Sequence, residues 1–544
     1  GERTSPAHSK ARDMHPPRLG LRPLAAMLAA AAWSPASAQI DLWDLSGPSD
    51  AELGFALAGV GDLNADGVAD VAVGAPGIDK VRIRSGSDGS FLFTVGGKSG
   101  SRFGETVVGV GDVDGDGTPD FAVGAPAATA FDGSPDGGEF YLFSGATGLV
   151  LQSDQAASSY QMGLGITGMG DVNGDGFVDY AYNGSGLLGD RVRIATGPLT
   201  SKAFLAGADG SFGHQLAGGA DVDGDGVPDL VVLSPDAWPA ASVTAYSGAK
   251  LGSIDNGVFF HRAFPALDTT GMNVILAGDL DADGLADVAA GFPEHRTTDA
   301  VSPQAALVRH GLVLVLDEQG GTSQAWTGAS LLPEEHYGAA LAPVADMNGD
   351  GHDELAIASS GHPRAATVVS GLDGTVLYAA PAPFGRALTV PGDLNGDGTP
   401  DLVTSSAADQ GAPDVRAFSG KHGVITPVGT SCSGGQGVAL LSASGTPSAG
   451  GHLALSAWWF GNVNSLLLLI GLPGPPTPLP SGCPVGVFPV LATIPLTFIG
   501  IAPETWALDV SLPASVSGIT LRTQLFAGSF GERTLSNAVD ITFD

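Results

Sequence analysis

One short acidic segment, repeated seven times, limits what this chain can fold into. Its fullest copy is D-x-D-x-D-G-x-x-D at residues 112–120, carrying Asp112, Asp114, Asp116, Gly117 and Asp120. Further copies begin at Asp62, Asp171, Asp221, Asp279, Asp346 and Asp393, at intervals of 47 to 67 residues. Self-similarity on that scale indicates blades or solenoid units, each burying its apolar face against the next, rather than one irregular globule. Apolar runs flank each copy, VVGV before and FAVGAP after the copy at 112, and read as two strands joined by the acidic loop.

Carboxylates at alternate positions can turn inward around one hard cation where the backbone curls through a glycine. Calcium suits such a set, since it accepts six to eight oxygens in forgiving geometry. The candidate ligands are Asp62, Asn64, Asp66 and Asp70; Asp112, Asp114, Asp116 and Asp120; Asp171, Asn173, Asp175 and Asp179; and Asp221, Asp223, Asp225 and Asp229. The last three sets are Asp279, Asp281, Asp283 and Asp287; Asp346, Asn348, Asp350 and Glu354; and Asp393, Asn395, Asp397 and Asp401. An EF-hand would need a bidentate Glu at position twelve. Those positions hold Val73, Val123, Tyr182, Val232, Ala290, Ile357 and Thr404, so the acid at position nine closes the loop instead. Up to seven structural Ca²⁺ ions are expected.

After each loop and its second strand comes a hairpin, such as VRIRSGSDGSFLF at 81–93 or FYLFSGATGLVL at 140–151, with apolar alternation around a Gly-containing turn. Four strands per unit and seven units give an all-β, seven-bladed β-propeller with calcium loops, in which ring closure removes the exposed edges of an open sheet. The propeller is expected over 39–428. A small β-sandwich-like domain is expected over 429–544, where HLALSAW (452–458), WALDVSL (506–512), ITLRTQL (519–525) and AVDITFD (538–544) alternate like strands.

The repeats resemble the FG-GAP family, known from the heads of integrin alpha subunits and from secreted bacterial proteins. The resemblance rests on Phe103-Gly104, Phe212-Gly213 and Phe384-Gly385, softened at Tyr337-Gly338, with Gly74-Ala75-Pro76 and Gly124-Ala125-Pro126. The aromatic is lost at Thr270-Gly271, and the second signature decays to Gly291-Phe292-Pro293 and Leu233-Ser234-Pro235. The resemblance implies that the acidic loops join the first two strands of each blade on one face. It further implies that ligands are met on the opposite face, by the loops between strands two and three and by the crossovers between blades. Aromatic and basic residues there make a candidate ligand set of Trp238, His261, Arg262, His295, Arg296, Trp326 and Tyr337; the alternative is that they pack their own loops. Closure of the ring has two solutions, the N-terminal strand at 40–45 or a strand of the last unit's own at 423–428, and the first is favoured.

Residues 1–38 read as an export signal. Arg18 and Arg22 precede the apolar run at 24–33, Ala36-Ser37-Ala38 offers a cleavage site, and Met14 is a plausible initiator. No later stretch is long enough to span a bilayer as a helix. Cys432 and Cys483 are the two cysteines, and in an exported chain such a pair reads as one disulfide, with two buried thiols as the alternative. A bridge over such a loop would contribute about 4 kcal/mol in the chain-entropy model.

The formal net charge of −34 argues against nucleic acid as a partner, because phosphate binding needs clustered Lys and Arg. Neither a G-x-S-x-G elbow nor an H-E-x-x-H helix occurs, and Gly97-Lys98-Ser99 lacks the opening glycine of a P-loop, with Leu92 in its place. Asn183-Gly184-Ser185 fits a glycosylation sequon and equally a decayed GAP position. The expected function is a secreted or cell-surface, non-catalytic adhesion and recognition module for an extracellular protein or polysaccharide. A glycan- or lipid-cleaving enzyme and a purely structural surface protein are the alternatives.

Overall fold

The computed structural model describes residues 41–420 apart from 187–188, 197–200, 207–210, 236–239, 252–256, 298–307, 328–335, 362–364, 381–383 and 407–413, together with the strands it places between 425 and 542. The expected export signal, Trp238 and the expected Cys432–Cys483 bridge lie outside the described residues.

Seven four-stranded antiparallel sheets form the body of the chain. Blade 1 runs Leu57–Gly61, Asp70–Ala75, Lys80–Arg84 and Phe91–Gly96. The first strands of blades 2 to 7 are Thr106–Gly111, Ile166–Gly170, Gln215–Gly218, Asn273–Gly278, Tyr337–Val344 and Phe384–Gly392. Each first strand lies beside those of both neighbouring blades, and Phe384–Gly392 lies beside Leu57–Gly61, so the ring closes as a seven-bladed propeller.

Strand chemistry follows position in the blade. Second strands are packed on both faces, so they read as continuous apolar runs rather than alternating ones: every residue of Asp70–Ala75, Asp120–Ala125, Asp287–Phe292 and Glu354–Ser359 is buried. Fourth strands border solvent and are mostly exposed or half-buried, as in Phe91–Gly96 and Thr322–Thr327. The aromatic of one fourth strand then covers the next blade's hairpin turn, Phe260 against Gly320 and Trp326 against Gly374.

The two signature motifs meet between blades. A Cβ on Gly74 would stand 2.2 Å from the carbonyl oxygen of Gly104, which itself has φ +91. Only glycines allow the GAP strand of one blade to approach the FG turn of the next this closely.

The N-terminal strand closes the ring. Asp41–Ser46 pairs antiparallel with Asp414–Phe418, the third strand of blade 7, with Trp43 opposite Ala417 and Leu45 opposite Val415. Ile425–Val428, the competing choice, pairs instead with Glu532–Thr542. That strand belongs to a sheet with Thr520–Ser529, Ser465–Pro478 and Pro484–Leu496, and Val438–Gly445, His452–Phe460 and Glu504–Ser511 form a second antiparallel sheet. No helix among the described residues is long and apolar enough to cross a membrane.

Candidate metal loops on one face of the propeller

Each acidic loop is a compact turn tied by its own side chains. In blade 1 the two oxygens of Asp62 accept the N–H groups of Asp66 (3.1 Å) and Gly67 (2.8 Å), Asn64 Oδ1 accepts Asp66 N–H at 2.8 Å, and Asp66 Oδ1 accepts Val68 N–H at 2.9 Å. The same pattern recurs from Asp112, Asp171, Asp221, Asp346 and Asp393. The glycine at position six has φ between +83 and +92 in every loop, a conformation other residues adopt at a cost. Position four is also left-handed, and two loops place a non-glycine there, Ala65 and Ala282, both at φ 60.

The acid at position nine does more than the sequence indicates. Asp70 is fully buried; its Oδ2 accepts Leu63 N–H at 2.8 Å and its Oδ1 accepts Gly86 N–H at 3.1 Å from the hairpin turn of the same blade. Asp120 does the same with Val113 and Gly145, Asp229 with Val222 and Gly248, and Asp401 with Leu394 and Gly420. The serine before that hairpin glycine reaches the acid at position five: Ser247 Oγ donates to Asp225 at 2.9 Å and Ser419 Oγ to Asp397 at 2.8 Å. The Ser-Gly dipeptide at 85–86, 144–145, 247–248, 370–371 and 419–420 is the sequence signal for this clasp.

Electrostatically these loops are poised for a cation. Burial pushes the carboxyls of Asp70, Asp120, Asp229 and Asp401 up to about 6, and those of Asp287 and Glu354 up to about 7. Hydrogen bonding to Val68 N–H holds Asp66 low. In four loops three carboxylates offer ligand atoms within 4.8 Å of one another: Asp112, Asp114 and Asp120; Asp221, Asp223 and Asp225; Asp279, Asp281 and Asp287; and Asp346, Asp350 and Glu354. Glu354 Oε1 is buried with no hydrogen-bond partner among the described residues. Convergent oxygens around a left-handed turn, with a buried oxygen lacking a donor, fit a hard divalent cation.

The expected ligand residues are scattered rather than gathered. His261 and Arg262 sit in the fourth strand of blade 4, Val258–Ala263, and not in a crossover loop. His261 Nδ1 lies 2.8 Å from Thr244 Oγ1, and the Arg262 guanidinium stands 6.0 Å over the Phe264 ring. His295 and Arg296 begin an arm between strands two and three of blade 5, in which Arg296–Thr297 pairs with Val308–Arg309. Burial lowers the His295 pKa, and Arg296 is exposed. Tyr337 is buried in the blade 5–6 core, its N–H donating to His310 O at 3.0 Å, and Trp326 is half-buried against Gly374. Beside Tyr337, His336 Nδ1 lies 2.7 Å from Glu294 Oε1 at the base of the blade 5 arm.

Two other features escape a reading of the sequence. The Phe55 ring lies between the guanidiniums of Arg102 (5.2 Å) and Arg386 (4.4 Å), linking blades 7, 1 and 2, with Arg102 also paired to Glu52 and Glu105. Asn183, in the sequon, is buried, its Oδ1 accepting Gly163 N–H (2.8 Å) and Gly165 N–H (3.2 Å) and its Nδ2 donating to Gln161 O. This is the packing role of a GAP-like position.

Residues 62–123 and 346–404 match the FG-GAP-like repeat family. The chain is 35% identical to integrin alpha-PS2 of Drosophila melanogaster over 127 residues, 18% of this chain and 9% of that one. It is 38% identical to integrin alpha-7 of Rattus norvegicus over 80 residues, 13% and 7% of the two chains. Against integrin alpha-8 of Mus musculus it is 31% identical over 154 residues, 24% and 14%. The chain therefore spans only a small part of the length of the curated relatives it matches. It carries FG-GAP repeats on a seven-bladed propeller.

Proposed function

From a propeller of FG-GAP repeats, we propose an exported, calcium-stabilised and non-catalytic module that recognises or adheres to an extracellular protein or polysaccharide. The observation that carries this reading is the convergence of three carboxylates within 4.8 Å in four of the loops, on repeats similar to those of integrin alpha chains. Calcium in all seven loops would be held by the acids and asparagines at positions one, three, five and nine. Its chemistry is structural: it neutralises carboxylates that otherwise repel one another and fixes the turn between the first two strands, so binding is coupled to folding. Outside cells, calcium is plentiful enough for sites of modest affinity to fill.

Recognition belongs on the opposite face, where Arg296 is exposed beside His295 and where Phe55 lies between Arg102 and Arg386. His261 and Arg262 flank that region on the fourth strand of blade 4. The test is retention of the chain from Gln39 onward on an array of polysaccharides and matrix proteins, with calcium and then with chelator. Calcium-dependent retention with the array material intact supports recognition. Release of cleaved fragments supports an enzyme, and silence on every spot supports a structural surface protein.

A further inference from the structure

The blade 6 loop departs from the other six at two neighbouring positions. Its ninth residue is Glu354, where the others carry Asp. Its eighth is Asp353, where the others carry Ala69, Pro119, Val178, Pro228, Ala286 and Pro400. Both substitutions change what the loop touches.

Glu354 is fully buried. One oxygen accepts Met347 N–H at 2.7 Å, Oε1 has no partner among the described residues, and the carboxylate offers a ligand atom to the cluster with Asp346 and Asp350. In four other blades the corresponding Asp spends both oxygens on N–H groups, as Asp70 does on Leu63 and Gly86. A buried carboxylate oxygen without a donor carries the full cost of its desolvation, which a bound cation removes.

Asp353 forks between two loops. Its Oδ1 accepts Asp346 N–H at 3.0 Å, the first ligand position of its own loop, and its Oδ2 accepts Asp279 N–H at 2.9 Å, the first ligand position of the blade 5 loop. Asp353 N–H donates back to Asp279 O at 2.9 Å, and His352 Nδ1 lies 2.9 Å from Leu280 O. Gly278 is required beside this fork, since a Cβ there would stand 2.3 Å from Asp353 Oδ2. At the preceding junction Ala286 N–H makes the same backbone bond to Asp221 O, but its methyl group cannot add a second link.

We propose that the cation sites of blades 5 and 6 fill as a coupled pair, with Asp353 as the positioning residue that holds the first ligand of each. This rests on the calcium reading above. A cation that fixes Asp346 also fixes the Asp353 carboxylate, and the blade 5 loop then loses less freedom when its own cation orders Asp279. Such coupling is reciprocal and is expressed as a change in affinity. The Asp353 charge, bonded to both loops, also offsets repulsion between the two cations.

Hydrogen exchange read by mass spectrometry along a calcium titration of the full chain tests the pair. Segment 279–287 reports blade 5, segment 346–354 blade 6, and segment 112–120 serves as a reference. Asp346→Asn, which weakens the blade 6 site, is expected to raise the calcium midpoint of 279–287 on the order of fivefold while leaving 112–120 unmoved. With Asp353→Ala or the near-isosteric Asp353→Asn in place, adding Asp346→Asn should no longer move 279–287. The coupling is overturned if 279–287 keeps its midpoint in Asp346→Asn while still responding to calcium, or if 112–120 shifts by the same factor. Absence of calcium-dependent protection in every segment of the unmutated chain would instead remove the calcium reading, and the coupling with it.

Discussion

Trp43 Nε1 donates a 2.7 Å hydrogen bond to the carbonyl oxygen of Gly86, joining the strand that closes the ring to the first hairpin of blade 1. The two residues stand on either side of the seam where the N-terminal strand meets the last blade: Trp43 completes blade 7, and Gly86 sits in the turn whose N–H clasps Asp70. The indole also covers Gly89, where a Cβ would come within 2.9 Å of the ring. One side chain therefore supports closure, hairpin and loop together.

Replacing Trp43 by alanine is expected to cost about 3–5 kcal/mol, the range for removing a buried aromatic. Trp43→Phe keeps most of the packing and should cost about 1–3 kcal/mol by leaving the Gly86 carbonyl without its donor. Urea unfolding followed by circular dichroism measures both. A costless Trp43→Phe would show that the hydrogen bond adds nothing to the seam, and equal costs for the two variants would show that the ring's packing adds nothing beyond that bond.

Replacing Ala282 by glycine is expected to stabilise the chain. Ala282 holds φ 60 at loop position four, where Gly115, Gly174, Gly224, Gly349 and Gly396 serve in other blades. A left-handed non-glycine costs about 1–2 kcal/mol, against about 0.5–1 kcal/mol for the extra freedom glycine gives the unfolded chain. A net gain of about 0.5–1 kcal/mol follows, and Ala65→Gly in blade 1 should add a similar increment independently. Thermal melts of the single and double variants check both the sign and the additivity.

In the absence of cations, stability is expected to fall as pH rises from about 4 to about 7. Burial raises the folded-state pKa of Asp70, Asp120, Asp229 and Asp401 to about 6, and of Asp287 and Glu354 to about 7. In that window the folded state binds more protons than the unfolded state, so the slope of unfolding free energy against pH is negative, and it flattens above pH 7. Saturating calcium favours the ionised carboxylates and should erase or reverse the slope. Melting temperatures across this range, with chelator and then with calcium, decide it. A positive slope in chelator would contradict the burial of these groups.

The repeat, the loops and the blade count were legible because their signals are local. Carboxylates at fixed offsets, a glycine at position six and apolar runs on either side all fall within one short stretch. The partners of those carboxylates were not legible. Gly86 lies far enough along the chain from Asp70 that the Ser-Gly dipeptide reads as ordinary turn chemistry until the hairpin folds back over the loop. His261 and Arg262 were misplaced for a related reason: VFFHRA at 258–263 breaks the two-residue alternation that marks an edge strand, although its backbone pairs with Ser242–Tyr246 across one register shift between Ala245 and Tyr246. Ring closure offered two strands with the N-terminal one favoured, and what decides between them is long-range: the pairing of Asp41–Ser46 with Asp414–Phe418, seated by Trp43 against Gly86 and Gly89.

Glu354→Gln provides a test whose sign reverses with calcium. Without a cation, Glu354 is a buried carboxylate with one oxygen lacking a donor, and burial pushes its pKa up to about 7. Glutamine removes the charge at nearly constant volume, so in chelator at pH 8, where the acid is forced to ionise, the variant should be more stable by about 1–3 kcal/mol. With calcium the order inverts. The carboxylate oxygen is then a charged ligand to the cation with Asp346 and Asp350, and an amide oxygen is a weaker one. The variant should therefore melt below the unmutated chain and need more calcium to reach half its stabilisation. Paired melts at pH 8 with chelator and with calcium read both signs in one experiment. A variant less stable in both conditions would assign Glu354 to packing, and one more stable in both would remove it from the cation site.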